Sequence, residues 1–138
     1  MATTLFIISA LCFFISHLIY IFISNYHKDV LSPHFLTISS YLFVRSMMNE
    51  NLFLEKITPT LNILSIFILM PTAISLAFYI NWFLALLIVI LLILIVQGLL
   101  MSIIKTIIVF FAKGNFFPSI IITFIVGIIF MVIGILVK

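Results

Sequence analysis

Chemistry in this chain has few places to sit. His17, Tyr20, Gln97 and Ser102 are polar side chains within long apolar stretches, where they could touch a solute or carry a proton. Placing an ionisable group among hydrocarbon is costly, so such a group is a functional candidate by default. His17 has the best claim, because an imidazole both donates and accepts and changes charge near neutral pH. Beside it, Ser9, Cys12, Ser16 and Tyr20 recur at i, i+3, i+7 and i+11, which is one side of a helix. Together these groups could form a proton relay or contact a substrate. The plainer reading, preferred here, is a neutral histidine hydrogen-bonded to a neighbouring helix through a Ser, a Thr or Gln97, since burial favours the uncharged ring. Gln97, Gly98 and Ser102 could likewise line a small polar pocket, although helix packing accounts for them more simply.

The remaining titratable groups do not assemble a reaction centre. His17, His27 and His34 lack the i, i+4 spacing of helical metal ligands, so no metal site is expected. Cys12 is the sole cysteine, which excludes an internal disulfide and a cysteine-cluster metal site; it reads as a small buried hydrophobe. Glu50 and Glu55 stand five residues apart, about 140° around a helix, and so do not converge as paired carboxylates. With Arg45 and Lys56 they form a solvated polar segment. No GxSxG, HExxH, P-loop or GxGxxG pattern occurs. The chain is therefore expected not to be an enzyme and to hold no cofactor.

The elements that would position these groups are dictated by composition. The chain has 138 residues, of which 67% are hydrophobic and 7% charged, against roughly 25% charged in a soluble domain. Its charges are Lys28, Asp29, Arg45, Glu50, Glu55 and Lys56 in one stretch, Lys105 and Lys113 in another, and Lys138. So few polar side chains cannot cover so much apolar surface in water. Lipid is the solvent that fits. There the backbone must satisfy its own hydrogen bonds, as helices or as a closed barrel. A run such as Leu86-Leu87-Ile88-Val89-Ile90-Leu91-Leu92-Ile93 has none of the alternation of a barrel strand, so helices are expected. The net charge of +3 is too sparse, and too free of interleaved aromatics, to suggest nucleic-acid binding.

A hydrocarbon core takes about 20 residues of apolar helix. The sequence places spans near residues 4–24, 60–80, 82–104 and 117–137 of a single domain. The first has no basic leader and no small-residue cleavage site, so it reads as a retained span rather than a signal peptide. Thr58-Pro59 suggests a cap and first turn for the second. Asn81-Trp82 marks a tight turn into the third, and an antiparallel hairpin is preferred, because residues 60–104 as one helix would be about 68 Å long. Lys113-Gly114-Asn115 separates the third from the fourth. Residues 33–48 are apolar on one face and too short to span easily. They read as an interfacial helix, with a re-entrant segment or a fifth span as alternatives. Pro71 should bend the second span, with Thr72 and Ser75 placed to satisfy a freed carbonyl.

Small residues give the packing faces. Ser119, Thr123 and Gly127 recur every four residues, with Gly134 seven further on; Ser65, Ala73 and Ala77 share a face of the second span. Such residues let helices approach closely in lipid. The third span, aliphatic or aromatic on every side, reads as the most lipid-exposed. Five of the six basic side chains fall in residues 25–58 and 105–116, which predicts those loops cytoplasmic and both termini outside. The expected architecture is an all-α integral membrane protein, a compact bundle of four transmembrane helices with a short interfacial helix between the first two, in a plasma-type membrane and by default a bacterial inner membrane. The expected role is helix–helix association with another membrane protein, as an accessory subunit of a membrane complex or an immunity-type partner-binding protein. The alternative is a homo-oligomeric exporter, channel or lysis pore lined by His17, Tyr20, Gln97 and Ser102. Membrane lipid is the expected surrounding in either case.

Overall fold

The computed structural model describes the backbone of residues 1–30, 52–96 and 116–138, and the side chains of residues 1–21, 56–96 and 118–138. The proposed interfacial helix at 33–48, the later part of the third span, Gln97 and Ser102 lie outside these described residues.

The described residues are helical apart from one turn and the chain ends. Helix α1 runs over Ala2–Val30, free of Gly and Pro. Helix α2 (Leu52–Leu64), a π-turn (Ser65–Leu69) and helix α3 (Met70–Phe78) make one unbroken rod. Helix α4 covers Trp82–Ile95 and helix α5 covers Phe116–Val137. Three stretches are long and apolar enough to cross a membrane: Ala2–Ile21, Lys56–Phe78 and Pro118–Val137. Within the described residues α4 is a shorter apolar helix.

The rod departs from the sequence expectation at its start. Helix does not begin behind Thr58 near residue 60; it begins at Leu52 and passes through Pro59. A proline inside a helix removes one N–H and crowds the carbonyl four residues back, at roughly 3 kcal/mol. The helix nonetheless runs on through Pro59 to Leu64.

Pro71 has a more visible effect. Its ring would collide with the carbonyl of Phe67 in a regular α-helix. The chain widens one turn earlier instead, and the Met70 N–H reaches five residues back to the carbonyl of Ser65. The Thr72 hydroxyl donates to the Ile68 carbonyl, four residues back, rather than to the carbonyl of Phe67 that Pro71 leaves. Ser65 Oγ, at the start of the widened turn, donates to the Asn62 carbonyl at 2.9 Å.

The turn from α3 to α4 is the hairpin the sequence favours. Tyr79 ends α3 in the left-handed region (φ 54°), a conformation costing a non-glycine residue roughly 1–2 kcal/mol. Asn81 then caps α4, its Oδ1 accepting from the Phe83 N–H at 3.2 Å and its carbonyl accepting from the Ala85 N–H at 3.0 Å.

Helix α1 is the centre of the packing. Its most extensive contact is with α5, followed by α3, and α3 in turn packs on α4. One apolar core collects buried side chains from four helices, Ala10 and Phe13 of α1, Met70 and Ala73 of α3, Ala85 and Val89 of α4, and Phe124 of α5, with Leu61 and Leu64 of α2 packed against it. Helix α4 contributes little else; Phe83, Leu87, Leu91 and Leu94 are among the many side chains it leaves exposed. Phe6 lies against Gly134, and Lys138 sits over the Tyr79 ring at 4.9 Å. The N-terminal end of α1, the C-terminal end of α5 and the α3–α4 turn therefore share one end of the molecule.

Candidate functional site

Two kinds of contact hold α1 to its neighbours, interleaved from Phe6 to Phe13 and polar at Ser16 and His17. The first is a steric interlock with α5. A Cβ added at Gly127 would lie 2.8 Å from Cε1 of Phe13, and one at Gly134 would lie 2.9 Å from Cε1 of Phe6. Glycine is required at both positions because a ring occupies the space where a side chain would begin. Both rings are fully buried. The pairs are each seven residues apart on their own helix and run in opposite directions, so α1 and α5 are antiparallel. Phe13 also meets Phe124 edge to face, with centroids 5.7 Å apart, a geometry worth about 0.5–1.5 kcal/mol.

The second kind is polar. Ser9 Oγ donates to the Gly127 carbonyl at 2.7 Å and Ser16 Oγ donates to the Ile120 carbonyl at 3.3 Å, again seven residues apart. Toward the far end of α1, His17 meets Asn62 of α2, with Nδ1 and Oδ1 separated by 2.7 Å. Oδ1 is an acceptor, so Nδ1 carries the proton and donates. In a neutral ring Nε2 is then a bare lone pair. Nε2 is buried and has no hydrogen-bond partner among the described residues. A buried polar atom left unpaired costs about 1–3 kcal/mol.

The surroundings of this ring are polar on the α2 side. Thr58, Asn62 and Ser65 fall on one face of the rod, at i, i+4 and i+7, and all three are buried, as are Ser16 and His17. An apolar cleft of about 220 Å³ lies elsewhere, between α1, α3 and α4, lined by Ile7, Leu11, Phe14, Ile74, Phe78 and Leu92 among others. No polar side chain lines it, so it offers nothing but van der Waals contact.

The sequence candidates distribute unevenly over this geometry. His17 is in the polar patch and Tyr20 lies half-buried three residues further along α1. Gln97 and Ser102 are outside the described residues. Gly127 and Gly134 face α1, and Ser65, Ala73 and Ala77 are buried in the rod. Ser119 and Thr123 lie half-buried beside the contact line; Thr123 Oγ1 turns back on its own helix, to the carbonyls of Ser119 at 2.8 Å and Ile120 at 3.0 Å. The line that actually meets α1 is Ile120, Phe124, Gly127 and Gly134. Asn62 is a member of the site that the sequence reading does not single out, although a lone amide between Leu61 and Ile63 is a readable signal. Phe6 and Phe13 carry no signal of their own, being two among many large apolar side chains of α1.

No group able to hold a metal forms among the described residues: no three His, Cys, Asp or Glu side chains come together there. The charged side chains among those described are Lys56 and Lys138, both exposed. The arrangement can hold helices together and can accept one hydrogen bond at a buried nitrogen. No protein-family model, curated protein or solved structure matches this chain.

Proposed function

We propose that this chain is a multi-pass integral membrane protein that acts by helix–helix association within the bilayer, binding another membrane protein as an accessory subunit or an immunity-type protector. In this reading four helices cross the membrane as a bundle, α4 continuing as the third span. One observation carries it. The polar side chains at the helix contacts are turned inward: Ser9, Ser16, His17, Asn62 and Ser65 bond within the chain. The faces left outside are almost wholly Ile, Leu, Val and Phe, on α4 and α5 above all. In lipid such faces are at home, and what they can recognise is the shape of another apolar helix.

The charge asymmetry supports an orientation with residues 25–58 and 105–116 cytoplasmic and both termini outside, in a plasma-type membrane such as the bacterial inner membrane. A cysteine at position 81 should then react with an impermeant thiol reagent added outside, and one at position 51 should not. The reverse pattern inverts the map.

The partner is tested by isolating the chain from its own membrane in mild detergent and measuring particle mass and protein composition. A second, different protein in fixed proportion is expected. The buried Nε2 of His17 favours one competing reading, a homo-oligomer that conducts or exports. A particle of this chain alone that passes solute after reconstitution would establish that reading instead.

A further inference from the structure

We propose that His17 and Asn62 form a binding site for a small O–H donor taken from the aqueous phase, received at Nε2 of His17. Such a site is independent of the partner-binding reading and would exist whichever protein the chain associates with.

The helix contacts differ from one another in how completely they are satisfied. Ser9, Ser16 and Ser65 each place their hydroxyl proton on a carbonyl, and Asn62 Oδ1 takes the Nδ1–H of His17. Among the described residues, Nε2 of His17 is the buried side-chain atom left without a partner. His17 is 5% exposed, so this atom is not simply facing solvent. A structural link between α1 and α2 needs only the Nδ1 half of the ring. Serine or threonine at position 17 would supply such a donor without bringing a second nitrogen into the core.

Asn62 does more than bond the ring. By accepting at Nδ1 it fixes the tautomer, and so presets Nε2 as an acceptor. A carbonyl behind a metal-binding histidine orients its ring in the same way. Asn62 is therefore a positioning residue. The ligand must donate, and it must be small, because both side chains are buried. A buried water characteristically makes two to four hydrogen bonds. Thr58 and Ser65 lie on the same face of the rod as Asn62, one turn to either side of it, and both are buried; Ser16 adjoins His17 on α1.

The test is nitrogen-15 magnetic resonance of the full chain in lipid bicelles in plain buffer, with water as the probe. His17 is identified among the three histidines by the signals lost in His17→Phe. The expected spectrum has the proton on Nδ1, an Nε2 shifted toward hydrogen-bonded values, and magnetisation transfer to the ring from water. Asn62→Leu should scramble the tautomer and abolish the transfer, while Asn62→Asp, which keeps an acceptor, should preserve both. A proton on Nε2 in the unaltered chain, a free lone pair there, or a hydrogen-bonded Nε2 that receives nothing from water would each overturn the proposal. Because the spectrum of the unaltered chain is enough to overturn it, a misfolded variant does not shield it.

Discussion

Two stretches of α1 are held by different mixtures of contact. Residues 6–13 are fitted to α5 by shape, with Phe6 and Phe13 pressed into the notches at Gly134 and Gly127 and one hydrogen bond, from Ser9 to the Gly127 carbonyl, between them. Ser16 and His17, at the middle of the helix, are tied by hydrogen bonds, Ser16 to the Ile120 carbonyl and His17 to Asn62. In water both arrangements would be overshadowed by burial of apolar area. In the membrane setting proposed above that contribution vanishes between helices, and van der Waals fit and interhelical hydrogen bonds are what remain. Each kind of contact suits a different need. Shape fit carries no polar cost and makes a rigid seam. Polar contact carries the risk of an unsatisfied atom, and among the described residues Nε2 of His17 is the buried atom left without a partner.

The heaviest loss should come from filling a notch. Gly127→Leu drives side-chain atoms into the Phe13 ring and disturbs the carbonyl that Ser9 uses. Overpacking of this kind costs about 1–3 kcal/mol, and reversible unfolding in bicelles should show a loss at the upper end. A loss under about 0.5 kcal/mol, the size of an ordinary surface change, would mean the seam is loose. Next is Asn62→Leu, which removes the acceptor of His17 and strands a second ring nitrogen. Interhelical bonds in lipid average about 0.6 kcal/mol, and the stranded donor should raise the loss to about 1–2 kcal/mol. The mildest is Ser16→Ala. Its bond is long, at 3.3 Å, and about 0.5 kcal/mol is expected. If Ser16→Ala proved worse than Gly127→Leu, hydrogen bonding rather than shape would be the stronger tie between α1 and α5.

Much of this is legible in the sequence, and the gaps have causes. The glycines at 127 and 134 stand out because small residues at helical spacing are scarce in so aliphatic a helix. Their partners do not, because Phe6 and Phe13 are two of several large apolar side chains around the Ser9–Ser16 stripe, and nothing local separates them from Ile7, Leu11 or Phe14. The four-residue repeat through Ser119 and Thr123 points slightly to one side of the true line, which passes through Ile120 and Phe124. Thr123 satisfies its hydroxyl locally and so has no need to face a partner. Local chemistry is a good guide at Asn81, where the cap forms as expected. It is a poor one at Pro59, where a pattern that suits a helix start lies inside a helix already running from Leu52. His17 stands out as an interhelical donor or relay from its type and setting alone. That its partner is Asn62 depends on the register of α1 against α2, which no local pattern encodes.

Complementary shape, on this account, sets the distance between α1 and α5. The sharpest check pairs a small-to-large change with a large-to-small one. Gly127→Ala alone places a methyl 2.8 Å from the Phe13 ring and should destabilise, and Phe13→Leu alone should destabilise by leaving a void. The chain carrying both changes should recover a large part of the summed loss in the same unfolding assay, because the space vacated by the ring receives the methyl. Losses that simply add would contradict the shape-fit account, since sites that do not touch behave additively.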